Sequence, residues 1–367
     1  MITHENIQDL VKSVINAIGP MKFTQLAQEM QKYLVYPMMF QKGGDGEVKL
    51  KAEEAATGTG WEDKVLVNGS GNARNVGIWE PDNVNIIDGL KDIKGGWAHT
   101  VTNWGWEDHE IPLNGEGKQK LLDLIKKRRE QAMLDLVTIL ENNFFAEPTA
   151  DPLMPWGLRY WIVKDKSLST SAIAGMGFNG GYAVGSDCAG LDHPNWKNFT
   201  GAYYSIPAWD NSGVTVPGDM IGKLRRAYRK CEWKSPLEGA EIGKSIESDL
   251  TLLVNTETLC KIEELLESRN DNLTRDVAPL FGRTCFKGFP FVVVNKLDED
   301  SDNPIYGLNM NTFRMMTLKG FFNRESAPKD IANMHLASAV FIDNSYNWKC
   351  IDRRRNFVLH QVNSYAA

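Results

Sequence analysis

The chain has 367 residues, which corresponds to two or three domains at roughly 100–200 residues per domain. Hydrophobic residues make up 42% and charged residues 24%, a composition typical of a folded globular protein, so a predominantly disordered chain is excluded. The 41 Lys and Arg against 47 Asp and Glu give a formal net charge of −6, which excludes a protein dedicated to coating DNA.

The sequence carries no recognisable secretory or membrane signal. Glu5 and Asp9 lie where a signal peptide would have a basic run followed by apolar residues. No window reaches the roughly 18 uncharged apolar residues of a membrane span. The five cysteines are widely spaced and form no CxxC pair, which indicates reduced thiols rather than a disulfide framework. We therefore expect a soluble protein with no membrane partner.

The first third of the chain divides into two segments of different character. Apolar spacing predicts short helices over 5–18 and 23–34, which form an arm at the start of the chain. Residues 45–112 are rich in Gly, Asn and Trp, and their period-2 stretches predict a β-ribbon. Such a ribbon has few aliphatic residues for a core of its own. We therefore expect its tryptophans to lie at an intermolecular surface: Trp61, Trp79, Trp97, Trp104 and Trp106.

The most regular apolar pattern predicts a long helix over 118–143, which we interpret as a structural spine. Its polar side carries a basic cluster that includes Lys127, Arg128 and Arg129. The following residues, 145–212, are interrupted by Pro and Gly, and the pattern there assigns no element.

The second half of the chain mixes helical and strand patterns. Apolar spacing predicts a helix around Met220–Tyr228, a strand over 250–255 and a helix over 256–269. Further strands are predicted over 289–294 and 304–318, and residues 339–359 are expected to form a β-pair that closes the fold. This intermixing indicates an α+β fold class.

Candidate catalytic groups are few, and we predict no cofactor, no metal site and no catalytic residue. The glycine-rich segments lack P-loop spacing, the six histidines are scattered, and there is no nucleophile elbow. Residues 298–303 resemble the start of a calcium loop, but Gly is absent at its sixth position, so a solvated acidic turn is preferred. Glu107, Asp108 and Glu110 beside tryptophans leave a carbohydrate-active enzyme or lectin-like domain as the alternative.

Short segments spread over most of the chain occur in a recognisable order. They include GNARNVG at 71–77, the spine-helix residues 127–144, WGLRYW at 156–161, FNGG at 178–181, WKN at 196–198, ELLE at 264–267, FKG at 286–288, PIYG at 304–307, LKG at 318–320 and RRRNF at 353–357. This order resembles the major capsid proteins of tailed double-stranded DNA bacteriophages, which have the Hong Kong 97-type fold.

The resemblance implies a division of the chain into named parts. Residues 1–44 correspond to an N-terminal arm, and 45–112 to an extended loop that lies over an adjacent subunit. Residues 113–212 correspond to a peripheral domain with the spine helix 118–143 and a loop-rich insertion. Residues 213–338 correspond to an axial domain around five- and six-fold axes, and 339–367 to strands that return to the peripheral domain.

The resemblance also implies a structural, non-enzymatic function. The chain would self-assemble into hexamers and pentamers of an icosahedral shell that encloses phage double-stranded DNA, in the virion, after assembly in the host bacterial cytoplasm. Implied partners are copies of itself, a separate scaffolding protein, a portal, a cement protein where the lattice needs one, and DNA through weak non-specific contact. A minor or decorating head protein is a further alternative.

Assembly contacts are expected at two kinds of residue. The first are the five ribbon tryptophans, Trp61, Trp79, Trp97, Trp104 and Trp106. The second are basic residues in the matched segments: Arg74, Lys127, Arg128, Arg129, Arg353, Arg354 and Arg355. No residue matches the motif with which some members join neighbours by a Lys–Asn isopeptide bond, so we expect a lattice held non-covalently or strengthened by a cement protein.

Overall fold

The computed structural model describes residues 52–55, 58–79, 84, 88–108, 110, 118–148, 153–165, 176–181, 188–204, 220–232, 250–268, 277–280, 283–332 and 336–362. The predicted helices 5–18 and 23–34 lie outside these residues. The described strands form a six-stranded sheet, an eight-stranded sheet and a two-stranded ribbon.

The bounds of the elements follow in chain order. The strands are β1 (Ala52–Ala55), β2 (Gly60–Leu66), β3 (Leu90–Gly96), β4 (Ala98–Glu107), β5 (Gly177–Gly180), β6 (Asn198–Tyr204), β7 (Leu250–Val254), β8 (Val277–Leu280), β9 (Arg283–Phe286), β10 (Phe289–Val293), β11 (Ile305–Asn309), β12 (Phe313–Leu318), β13 (Arg324–Glu325), β14 (Lys329–Asp330), β15 (Ala337–Cys350) and β16 (Phe357–Val362). The helices are α1 (Lys118–Phe144), α2 (Leu158–Trp161), α3 (Met220–Cys231) and α4 (Thr256–Ser268).

The two-stranded ribbon consists of β2 and β3, which pair antiparallel from Gly60 opposite Gly96 to Leu66 opposite Leu90. Side chains alternate along β2, so that Trp61 is buried while Glu62 is exposed. This period of two is what β-geometry produces when one face is covered. The predicted β-structure of this part of the chain is confirmed.

The six-stranded sheet is organised around the long strand β15. On one side β15 pairs antiparallel with all of β4, from Ala337 opposite Glu107 to Tyr346 opposite Ala98. On its other side it pairs with β12, β13 and β14, and β1 runs parallel to β12 at the edge. The sheet therefore joins residues from the ribbon segment to the last part of the chain.

Helix α1 packs across this sheet. Its 27 residues give a length of about 40 Å at 1.5 Å per residue, and the predicted spine helix is confirmed. The side chains of one face are buried, as the three- and four-residue spacing requires: Ile125, Ala132, Met133, Leu136, Val137, Leu140 and Phe144. Near its end, the Asn143 amide donates to the Tyr346 hydroxyl at 2.8 Å, which fixes the helix to β15.

The eight-stranded sheet has the order β5-β6-β16-β11-β7-β10-β9-β8. All five residues of β7 are buried, because alternate side chains enter different cores on the two faces. Leu253 joins the core shared with α1, whereas Leu252 and Val254 join a second core that includes residues of α3 and α4. The predicted helix at Met220, the strand at 250–255 and the helix at 256–269 are confirmed within one to three residues.

One expectation about the last strands differs from the structure. The predicted β-pair over 339–359 is wrong, because β15 and β16 lie in different sheets. A short 3₁₀ turn at Arg353–Arg355, with Arg353 buried, separates the two strands and redirects the chain. Residues 145–212, which gave no assignment, contribute β5 and β6 to the eight-stranded sheet.

The strands predicted as one axial domain, 213–338, are divided between both sheets, with β7–β11 in the larger and β12–β14 in the smaller. The domain boundaries stay a prediction. No helix in the described ranges has the length and apolar character needed to cross a bilayer. Nor do the described residues contain a group of three or more His, Cys, Asp or Glu placed to hold a metal ion.

Candidate assembly surfaces

The base of the ribbon has an aromatic core within the chain. Trp61 is 5% exposed, and its ring lies 6.2 Å from that of Trp156 and 6.1 Å from that of Trp161. Its cross-strand neighbour is Gly95, where a Cβ atom would lie 2.4 Å from the Trp61 ring. Glycine is required there because the indole covers the opposite backbone. Parts of the same chain outside the ribbon therefore cover Trp61, which was expected at an intermolecular surface.

Polar contacts reinforce this attachment. Lys349, largely buried on β15, places its Nζ 2.5 Å from the Asp63 carboxylate. The Asn347 side-chain amide donates to the Gly96 carbonyl oxygen at 2.7 Å. Together these contacts fix the ribbon base on β15, so its direction is set inside the subunit.

The tip of the ribbon, which we define as residues 66–79, 84 and 88–90, has the opposite character. Trp79 is 97% and Ile78 is 90% exposed, and Leu66, Val76, Val84 and Leu90 are exposed as well. Single exposed apolar residues are ordinary, but several on one projecting segment are typical of a contact surface. Arg74 is exposed on the same segment. The tip is the first candidate assembly surface.

Trp104 and Trp106 are buried on β4, with ring centroids 5.6 Å apart, in the core shared with α1. Trp97 is partly buried and donates its indole N–H to the Gly58 carbonyl oxygen at 2.9 Å. Of the five predicted tryptophans, Trp79 alone has its ring fully exposed. A direct role of the others at a subunit interface is not favoured, because their rings are already covered by the chain itself.

The basic cluster of the spine helix serves mainly intramolecular contacts. Arg128 lies 2.7 Å from the Glu110 carboxylate and donates to the Gly105 carbonyl oxygen at 2.6 Å. The hydrogen bond from Arg128 holds the pKa of Glu110 below its ordinary value, although burial opposes this. Arg129 pairs with Glu325 at 2.6 Å, and Lys127 is exposed. Of these three residues, Lys127 is the one whose side chain is exposed to another molecule.

The arginine triplet is divided in the same way. Arg353 is fully buried and donates to the Trp161 carbonyl oxygen at 2.6 Å and to the Asn198 side-chain oxygen at 2.9 Å. Arg355 is buried and lies 3.3 Å from the Asp352 carboxylate. Arg354 is exposed, with its guanidinium 4.3 Å from the Phe178 ring centroid. Arg353 therefore ties α2 and β6 to the start of β16.

The acidic turn that resembled a calcium loop is occupied by internal contacts. Lys164 lies 2.5 Å from Asp300 and 3.2 Å from Asp302. Burial opposes ionisation of Asp300, but the hydrogen bond and charge of Lys164 outweigh it and hold the pKa below its ordinary value. Asp298 accepts from the Thr256 backbone N–H at 2.8 Å, which caps α4. These carboxylates stabilise the fold.

A further basic surface, on α3, was missed by sequence reasoning. Gly222, Arg225, Arg226, Arg229 and Lys230 line a shallow open depression on this helix. The three- and four-residue spacing of the cations along a helix predicted from its apolar residues was the signal that could have found it. It is the second candidate surface.

Comparisons with known proteins find likeness only at the level of structure. Neither a protein-family model nor a curated protein matches the sequence. The chain is similar to one from the capsid asymmetric unit of cyanophage A-1(L), at 13% identity and a TM-score of 0.52, covering 95% of this chain and 98% of that one.

Chains from the capsid of the GTA particle give comparable matches. For the empty particle the identity is 10% and the TM-score 0.52, covering 97% of this chain and 99% of that one. For the native particle the identity is 10% and the TM-score 0.50, covering 93% and 100%. Identities this low show the fold alone. The chain has the mixed helix and sheet fold of phage capsid proteins, as its sequence led us to expect.

Proposed function

We propose that this chain is a major capsid protein of a tailed double-stranded DNA phage, which self-assembles into hexamers and pentamers of an icosahedral shell around the genome. The observation that carries the proposal is the likeness to the cyanophage A-1(L) capsid chain over nearly the full length of both chains.

The two ends of the ribbon support this function independently. Its base is fixed to the subunit by Trp61 and Lys349, while its tip exposes Ile78 and Trp79 to solvent. An apolar segment held at the end of a fixed ribbon gains burial only when another molecule covers it. In a shell, the neighbouring copy is that molecule, so the tip fits the extended loop of the Hong Kong 97-type fold.

The finer assignments are part of the same proposal. Residues 1–44 form the arm, 45–112 the extended loop, 113–212 the peripheral domain, 213–338 the axial domain, and 339–367 the returning strands. The assembly contacts are Trp79, Arg74, Lys127 and Arg354, which are exposed, while Trp61, Trp97, Trp104, Trp106, Arg128, Arg129, Arg353 and Arg355 act indirectly by shaping the subunit. The partners are copies of the chain, a scaffolding protein, a portal, a cement protein and packaged DNA, in the virion after assembly in the bacterial cytoplasm.

The role is structural rather than catalytic. The buried rings of Trp61, Trp104 and Trp106 cannot stack on a sugar, and Glu110 is paired with Arg128. These observations give no support to a carbohydrate-active enzyme or lectin-like domain.

The proposal is tested by sedimentation and negative-stain electron microscopy of the full chain, expressed alone and together with its scaffolding protein. Closed shells, or free pentamers and hexamers, are the expected products. A monodisperse monomer or dimer that never assembles under either condition would overturn the proposal.

A further inference from the structure

Helix α3 is amphipathic in an unusual way, since all of its exposed residues are basic. Its twelve residues include five Lys or Arg and no Asp or Glu. Arg225 and Arg226 are adjacent, and Arg229 and Lys230 follow about one turn later, so the four lie on one side of the helix. The opposite face is buried against β6 and β16: Met220, Ile221, Leu224, Ala227 and Cys231.

Three of the four cations of this face are not neutralised inside the described part of the chain. Arg226, Arg229 and Lys230 are exposed and make no ion pair with any described carboxylate. Glu232, just beyond the helix, interacts instead with the Tyr228 hydroxyl. Like charges four residues apart, such as Arg226 and Lys230, disfavour a helix by a few tenths of a kcal/mol. An ordinary solvated face would mix both signs.

The positive charge of this face also affects a buried lysine of the same helix. Lys223 is buried and donates from its Nζ to the Ala202 carbonyl oxygen. Burial and the neighbouring charge of Arg226 lower its pKa to about 8. Gly222, which carries no side chain, leaves an open depression at the start of the basic face. A negatively charged group placed there would meet several guanidinium groups at once.

We infer that the basic face of α3 binds the phosphate backbone of double-stranded DNA, an inference that rests on the proposed function. Protein–protein interfaces have an apolar centre depleted of charge, and none of the exposed apolar side chains in the described residues lies on α3. Phosphate contacts instead use Arg and Lys without an apolar centre. From residue 222 to residue 230 the face is about 12 Å long, enough to contact several phosphates at one charge per about 1.7 Å of duplex.

The test measures binding of a fluorescent duplex of about 30 base pairs by anisotropy, over salt concentrations from about 50 to 200 mM. The variant combines Arg226→Gln, Arg229→Gln and Lys230→Gln in the full chain. The matched control combines Lys319→Gln, Arg324→Gln and Lys329→Gln, which are also exposed and remove the same charge. Electron microscopy of the same samples records shell formation.

The α3 variant should bind DNA at least about tenfold more weakly than the control, and its plot of log K against log salt should be flatter by about 2.7, or about 0.9 per lost phosphate contact. Equal DNA binding by both variants would overturn the inference and leave the proposed function standing. Failure of the α3 variant alone to assemble, with DNA binding unchanged, would also overturn it and identify the face as a protein contact. Absence of shells from the wild type would count against the proposed function only.

Discussion

The two ends of the ribbon differ in whether the chain itself covers their apolar side chains. At the base, Trp61 is covered by Trp156 and Trp161 of the same chain, and Gly95 gives the indole room. At the tip, Ile78 and Trp79 project into solvent. Aromatic content alone does not separate these cases, because both ends carry tryptophan. What separates them is whether the rest of the fold reaches the ring.

The same division recurs in the arginine triplet and on α3. Arg353 is buried among hydrogen-bond acceptors while Arg354, its neighbour, is exposed, and Lys223 is buried while Arg226 is exposed. In each pair the inner residue contributes to subunit stability and the outer one is free to contact another molecule. Substitutions within each pair therefore measure two different properties.

The largest effect on stability is expected at the ribbon base. Trp61→Ala removes a buried indole from contact with two other tryptophans and should lower the free energy of unfolding by about 3–5 kcal/mol. Urea denaturation of the unassembled subunit, followed by circular dichroism, measures this. A loss below about 1 kcal/mol would mean that the base is not packed as described.

A second large effect is expected at Arg353. Arg353→Ala leaves the Trp161 carbonyl and the Asn198 side-chain oxygen without their donor, which should cost about 3 kcal/mol of unfolding free energy. Arg354→Ala is the matched control, and because its guanidinium is exposed it should change stability by less than about 0.5 kcal/mol. Equal losses in the two denaturation curves would contradict the division of the triplet.

A smaller effect on the free energy of unfolding, which depends on pH, is expected at Lys223. Its pKa is about 8 in the folded chain against an ordinary value of 10.5, so between these pH values the unfolded chain binds more protons. The stability of the wild type should therefore rise with pH across this window relative to Lys223→Met, by less than about 1.4 kcal/mol per pH unit.

The variant Arg226→Gln is the control for the pH dependence of stability attributed to Lys223. Because its charge helps to lower the pKa of Lys223, Arg226→Gln should shift the pH-dependent rise toward higher pH without abolishing it. Denaturation midpoints at several pH values measure both variants. If the difference in stability between the wild type and Lys223→Met did not change with pH, the pKa of Lys223 would not be lowered on folding.

Sequence patterns predicted the elements well where apolar periodicity was strong. The spine helix, the helix at Met220 and the strands β7 and β10 were predicted because local spacing alone determines them. The sheets could not be predicted, since the pairing of β4 with β15 joins residues more than 200 positions apart. Whether each tryptophan is buried or exposed depends on that pairing. Trp104 was expected at an interface because the pairing was unknown, and in the structure it is buried.

Prediction of the roles of charged residues was limited in a similar way. The triplet at 353–355 stood out as a basic run, but which of its members is buried depends on the turn between the two sheets. The basic face of α3 was overlooked because its outer cations form two short pairs, Arg225–Arg226 and Arg229–Lys230, within a helix recognised from its apolar residues. Composition identified the segments concerned, while the contacts of each side chain required the tertiary structure.

The smallest effect on stability is expected at the ribbon tip. Ile78→Ala combined with Trp79→Ala removes side chains that are almost fully exposed, so the free energy of unfolding should change by less than about 0.5 kcal/mol. Shell yield, measured by sedimentation and electron microscopy, should nevertheless fall sharply, because buried tryptophans at interfaces typically contribute about 2 kcal/mol or more each.

Val101→Ala is the control for this prediction, since Val101 is an exposed apolar residue on β4 away from the tip and should leave both stability and shell yield unchanged. A tip variant that forms shells as efficiently as the control would contradict the distinction between a tip that contacts neighbours and a base that stabilises the subunit. The exposed tryptophan would then not be an assembly contact, and subunit association would have to rely on other surfaces. A tip variant that is stable but does not assemble would show instead that the base orients the ribbon and the tip binds the neighbouring subunit.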